Sequence, residues 1–382
     1  MHLCFLSDVE KMWNKNFNLL LIANFFLYTA VYMLFPALHH WMVSEGGYTG
    51  FQAGGAIAIF GASLFLLGAF NNYLVDTFKR KNVCTRSLLL LALLGLLYPY
   101  AGEWGMIFLL RVLQGALFGV VLMAMGSTLV IDVTPSQYRN KASVVSPGRG
   151  YSVCCAASCW DIMQAGIFLS SNRFICLWDF APFRSYWCPW WKSVSVLRWT
   201  FRCCRSTVFC FPYLDPGLNM MVVPFILGVL FSSISILFYI CIIAGFIVFL
   251  LLDRVVRKQV NGRLLNGVGL VLMCVAVWIL GCSTEKEMLM GAGLLTGLGM
   301  GFSLLQFLRM MIRLPLHCER GTGYHTYQLL WESGVMLGVF FGKYTEDISG
   351  QQFRAASLIL LAGLLIYQAV VHGYFMKRMK NR

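Results

Sequence analysis

Leu74-Val75-Asp76-Thr77-Phe78-Lys79-Arg80-Lys81-Asn82-Val83 closes one long apolar run and opens the next. A second stretch, Leu251-Leu252-Asp253-Arg254-Val255-Val256-Arg257-Lys258-Gln259-Val260, has the same layout. In each, an Asp ends the apolar segment and two basic residues follow four and five positions later. Asp76 and Asp253 stand 177 residues apart in a chain of 382, close to half its length. Self-similarity at that period predicts two parallel halves.

The sequence around these loops is suited to hydrocarbon. Apolar residues make up 59% of the chain and charged residues 12%, against about 25% charged in a globular domain. Mean hydropathy is +0.70. Apolar runs long enough to cross roughly 30 Å of bilayer recur throughout. These features exclude a secreted, disordered or nucleic-acid-binding protein.

Ten membrane helices are readable, at about 17–38, 50–72, 84–100, 104–131, 214–232, 234–252, 264–282, 288–308, 323–342 and 355–376. Between Asp215 and Asp253 there is no charge, a run too long for one span, and Ser232-Ser233 is the expected break. The first span follows Lys11 and Lys15 with no small-residue cleavage site after it, so it reads as a retained helix. With both termini in the cytoplasm, nineteen Lys and Arg fall in inner stretches and three (Lys286, Lys343, Arg354) in outer loops. That bias accounts for the net charge of +14 as membrane topology. A nucleic-acid surface would not alternate loop by loop.

Residues 144–213 break the pattern. They hold 8 of the 14 cysteines, 6 of the 11 tryptophans and seven basic residues, so no uninterrupted span fits. The segment has the length of a two-span hairpin without its composition. Codons for Leu, Val and Met often end in TG, and a shifted frame turns those letters into the start of Cys or Trp codons. Cys154, Cys155, Cys159, Trp160, Cys203 and Cys204 fit such a shift. The segment has no His and no paired C-x-x-C knuckles, which argues against a zinc module. Its cytoplasmic placement argues against a disulfide framework. An unusual native insert is the other reading.

The first loop resembles the G-x-x-x-D-R-x-G-R-K element of the major facilitator superfamily. Asp76, Arg80 and Lys81 match, while Asn72, Thr77 and Lys79 depart from it. The second loop keeps Asp253, Arg254, Arg257 and Lys258. Arg111-Val112-Leu113-Gln114-Gly115 in the fourth span is similar to the family's R-x-x-Q-G element. The resemblance covers 1–143 and 217–382. It implies an all-α membrane fold of twelve spans in two bundles: an N-terminal bundle over 1–143, a C-terminal bundle over 214–382, and 144–213 in place of spans five and six. It also implies a midplane substrate site and alternating access.

An ionisable group within a span is costly and is by default a site candidate. Glu332 lies about ten residues into its span, so roughly 15 Å deep. His325, Gln328 and Glu332 share a helix face at i, i+3, i+7, facing a cavity or another polar group. Gly334, Gly338 and Gly342 form a ridge for close helix packing. Arg111 stays charged and needs a carboxylate, a carbonyl or water; it is the expected electrostatic counterpart of Glu332, or it snorkels outward. By resemblance it takes part in proton coupling or binds an anionic group. Asn24, Tyr28 and Tyr32 make one polar-aromatic stripe on the first span. Gln52, Gln114 and Gln306 are further polar candidates. Asp76, Arg80, Lys81, Asp253, Arg254 and Arg257 form the expected cytoplasmic gate, where a contact of a few kcal/mol biases a two-state equilibrium. Asp132 reads as a gate or structural pair.

There is no P-loop, no H-E-x-x-H and no G-x-S-x-G, so neither ATP drive nor those catalytic classes are encoded. His39-His40 is weak metal evidence. The expectation is a monomeric secondary transporter of a small solute in a bacterial inner membrane. It is proton-coupled, with export favoured, and has no cofactor, metal or enzymatic activity. Alternatives are an inserted but inactive product of a frame-damaged gene and, with less support, an integral-membrane enzyme.

Overall fold

The computed structural model describes residues 14–68, 70, 74, 77–134, 214–231, 236–256, 261–283, 285–315, 320–345 and 351–380. The anomalous stretch 144–213 lies outside them, as do Asp76 and Arg257. Every regular element among the described residues is helical. Their order is α1 (Lys15–Ser44), α2 (Gly50–Ser63), α3 (Arg80–Gly95), α4 (Trp104–Leu122), α5 (Leu214–Leu230), α6 (Ile236–Val256), α7 (Gly262–Cys282), α8 (Lys286–Arg313), α9 (Arg320–Tyr344) and α10 (Gln351–Ile366). A π-helical stretch, Met123–Leu129, carries α4 on into Val130–Val133, and another, Tyr367–Val371, carries α10 on into His372–Lys380.

These are the ten expected helices. Six segments of the described residues are long and apolar enough to cross a membrane by length and composition. Their outward faces carry bare hydrocarbon: Leu89, Leu93, Leu361 and Leu365 are all exposed. Such a belt would be a liability in water and is the ordinary surface of a helix in lipid.

Local chemistry sets the helix ends. Asn14 caps α1 by accepting from the backbone N–H of Phe17 at 2.7 Å, satisfying an otherwise orphan donor. Its Nδ2 donates to the Val133 carbonyl at 2.7 Å, which fastens the start of α1 to the end of the α4 extension. Thr49 and Gln52 form a reciprocal capping box at α2. The long apolar run 214–252 does break near Ser232, since α5 ends at Leu230 and α6 begins at Ile236. Across that break the Tyr239 hydroxyl donates to the Leu230 carbonyl at 2.7 Å.

The second span is shorter as a helix than the expected 50–72. Regular α structure stops at Ser63, and turns follow over 64–67. The Ser63 hydroxyl donates back to the Phe60 carbonyl at 2.9 Å and lies 3.4 Å from the Arg111 carbonyl on α4. After it the backbone tightens into i to i+3 bonds, Phe65 to Ala62 and Leu66 to Ser63.

Helices α1 to α4 pack among themselves, as do α5 to α10. The main bridge between the two groups is α2 against α9. Helix α9 also lies along α5, and glycines set that approach. A Cβ on Gly338 would fall 2.9 Å from the Gly228 Cα and collide with the Phe225 carbonyl. A Cβ on Gly334 would sit 2.8 Å from Pro224 Cγ. Two members of the expected glycine ridge thus allow close contact of α5 and α9, the small-residue geometry of membrane helices.

Candidate functional site

Glu332 is the central residue of α9, and it is fully buried. Its Oε2 accepts a hydrogen bond at 2.8 Å from the hydroxyl of Tyr32 on α1. That hydroxyl in turn accepts from Trp331 Nε1 at 3.3 Å. Tyr32 therefore has a donor on one side and the carboxylate on the other, which fixes the direction of its own O–H. The bond links α1 of one group to α9 of the other.

The expected stripe on α1 faces inward. Asn24, Tyr28 and Tyr32 are all buried. Tyr28 stacks on Tyr32 with ring centroids 6.1 Å apart and meets Phe118 edge-on at 6.0 Å. Phe231 at the end of α5 lies 6.4 Å from the Tyr32 ring. On α9, Tyr324, Tyr327 and Trp331 form a run of rings with spacings of 6.2 and 6.5 Å. His325 and Gln328 are buried on the same helix. Around Glu332 the protein thus assembles a carboxylate walled by aromatic faces from both groups of helices. Rings of this kind offer apolar area and a face that attracts cations.

Arg111 is also fully buried, two turns into α4. Its guanidinium lies over the rings of Phe60 at 5.5 Å, Tyr98 at 5.6 Å and Phe35 at 5.8 Å. Nη1 donates to Gln114 Oε1 at 3.4 Å, and the same oxygen accepts from the Tyr98 hydroxyl at 2.6 Å. The expected ion pair between Arg111 and Glu332 is not formed, and snorkelling to the outer surface is not seen either. Phe35 stands between the two centres, packing on Tyr32 at 5.8 Å and on the guanidinium.

At the other end of α4, Arg80 Nη1 lies 2.5 Å from Asp132 Oδ1, a quarter-exposed ion pair. Lys81 follows Arg80 on the first turn of α3. Asp253 and Arg254 lie on the last turns of α6. Of the expected gate, the geometry shown is that of Arg80, and its partner is Asp132. Gln52 serves the capping box of α2.

Tyr98, Phe35, Phe60 and Trp331 were not singled out from the sequence. Trp331 had a readable signal, because it neighbours Glu332 and falls four residues after Tyr327. The rings around Arg111 had none, since three separate helices supply them. Among the described residues no group of His, Cys, Asp and Glu could hold a metal ion.

Residues 20–146 match the family model of the Major Facilitator Superfamily. The fold is similar to that of a mutant of the nucleoside transporter NupG in its crystal structure, with a TM-score of 0.64. The match covers 95% of this chain and 99% of that one, at 12% sequence identity. No curated protein matches the sequence. The family match covers about the first third of the chain, and the likeness in structure extends the same helical fold over the whole of it, with six segments of membrane-spanning length among the described residues.

Proposed function

We propose that the protein carries a small solute across a bacterial inner membrane by alternating access, exchanging it for protons in the export direction. Residues 1–143 and 214–382 supply the two bundles, both termini are cytoplasmic, and the protein works as a monomer. The observation that supports this most is the Tyr32–Glu332 hydrogen bond, which ties a carboxyl group at the middle of α9 to the other group of helices.

The chemistry follows from what Glu332 can accept. Ionised, it accepts the hydrogen bond of the Tyr32 hydroxyl and holds α1 to α9. A proton on Glu332, or a hydrogen-bond donor on the solute, competes for the same oxygen and loosens that tie. A hydrogen bond to a charged group contributes roughly 1.5–3 kcal/mol. A change of that size is enough to tilt a two-state equilibrium by a factor of ten or more. His325, Gln328, Asn24 and Tyr28 complete the polar lining beside Glu332. Arg80, Lys81, Asp253, Arg254, Arg257 and Asp76 act as the cytoplasmic latch, which must part when the inner side opens.

The test uses proteoliposomes carrying a trapped pH dye and a panel of candidate solutes. A solute moved by the protein should drive proton flux in the opposite direction. Glu332→Gln should abolish that flux while solute exchange persists. Transport that keeps its full response to an imposed pH gradient in Glu332→Gln removes Glu332 from the mechanism.

A further inference from the structure

Arg111 presents a second problem of charge, separate from Glu332. It is fully buried, and among the described residues the polar contact of its guanidinium is the 3.4 Å bond to Gln114 Oε1. Nε and Nη2 of Arg111 and Nε2 of Gln114 have no hydrogen-bond partner among the described residues. All three are donors, because a guanidinium has no acceptor and Nε2 is the donor end of an amide. The rings of Phe35, Phe60 and Tyr98 meet the positive charge. They do not accept the N–H groups that radiate in the guanidinium plane. A buried cation with unused donors is expensive, and the missing component is an acceptor with negative charge.

The geometry of the unused atoms narrows its chemistry. Nε and Nη2 form one edge of the guanidinium fork, the edge that takes a carboxylate side-on with two parallel hydrogen bonds. Gln114 Nε2 supplies a third donor, because Gln114 Oε1 is turned toward Tyr98. We propose that Arg111 and Gln114, with Tyr98 holding the amide of Gln114 in place, form a binding site for a compact anion. The ligand is either a carboxylate borne by the transported solute or a free inorganic anion. This deepens the transporter reading by naming the charge of what binds, and it does not depend on the proton role of Glu332.

The experiment is a thermal-unfolding series on the full chain purified in detergent, at constant ionic strength, in sodium acetate, sodium chloride or sodium gluconate. Compact anions should raise Tm saturably by several degrees over bulky gluconate, as a ligand of the native state does. A response to acetate alone assigns the site to a solute carboxylate, and a response to chloride as well assigns it to a free anion. Arg111→Gln should lose the response, Arg111→Lys should keep a weaker one, and Glu332→Gln should keep all of it. Gln114→Leu, which leaves the cation in place, should weaken the response and so tests the site if Arg111→Gln does not fold. Equal Tm in the three salts with the native chain, or an undiminished response in Arg111→Gln, overturns the proposal. Failure of the proton-flux experiment would leave this result intact, so the two readings fall separately.

Discussion

The Tyr32 hydroxyl reaches Glu332 Oε2 across 2.8 Å, although the two residues are 300 positions apart in the chain. Tyr32→Phe keeps the ring contacts with Tyr28, Phe35 and Phe231 and removes this donor and the acceptor for Trp331. It leaves a buried carboxylate one hydrogen bond short, which costs roughly 1.5–3 kcal/mol. Thermal unfolding should fall by several degrees, and the loss should shrink in the Glu332→Gln background, where no charge is left wanting. Equal losses in both backgrounds would mean the hydroxyl and the carboxylate are not coupled.

The α5–α9 contact gives a prediction with opposite signs at two glycines. An Ala at an ordinary helical Gly raises stability by up to about 1 kcal/mol through helix propensity. Gly291, on α8, has open space where its Cβ would go, so Gly291→Ala should be neutral to stabilising. Gly338 has the Phe225 carbonyl and the Gly228 Cα in that place. Gly338→Ala must push α5 and α9 apart, so it should lower Tm and the yield of folded protein. Comparable Tm values for the two variants would show that close approach is not what holds these helices.

The Arg80–Asp132 pair is partly exposed, which limits its worth to about 1 kcal/mol or less. Arg80→Gln should therefore change Tm by little. As part of a latch it should still alter the rate of solute exchange, because it affects one conformational state more than the other. The reversed pair, Arg80→Asp with Asp132→Arg, should restore part of the native rate. High salt should blunt the difference between native and variant. A rate unaffected by Arg80→Gln would confine this ion pair to topology and helix packing.

These sites differ in how far the sequence could reveal them. Span positions were legible because hydropathy and the Lys/Arg bias accumulate over many residues and need no tertiary information. Glu332 was legible for a related reason: one carboxylate in the middle of an apolar helix is a local anomaly. The inward stripe of Asn24, Tyr28 and Tyr32 followed from spacing alone. The early end of α2 was not legible, because it depends on what Ser63 meets on α4. Nor were the π-helical stretches at Met123–Leu129 and Tyr367–Val371. Arg111 could be read as buried but not as boxed by rings, so an ion pair with Glu332 was the natural expectation. Gln52 is the opposite case. Thr49-Gly50-Phe51-Gln52 has capping-box spacing in the sequence itself, and that reading outranks a ligand role.

The end of α2 that begins at Gly50 meets the end of α9 that finishes at Tyr344, and aromatic rings close the contact. Phe51 packs edge-on against Phe340 at 5.6 Å and Tyr344 at 6.0 Å, and Phe340 stacks on Tyr344 at 6.3 Å. Deeper in, the Ser333 hydroxyl donates to the Gly61 carbonyl at 3.2 Å. With both termini cytoplasmic, as proposed, this is the outer side, and on that reading α2 and α9 shut the outer face. Ile57, on α2 between Gly54 and Gly61, is fully buried behind those rings. In an Ile57→Cys variant a membrane-impermeant maleimide added from outside should label the new thiol slowly. Adding Phe340→Ala removes the ring that touches both Phe51 and Gly54. Deleting a buried Phe side chain costs about 3–5 kcal/mol of packing, less where one edge is already exposed. That is enough to favour the outward-open state, so labelling should rise at least severalfold over the single variant. The native cysteines contribute equally to both proteins, and the difference between the two reports on position 57. Labelling that stays slow after Phe340→Ala would place the barrier deeper, at Ser333 and Gly61.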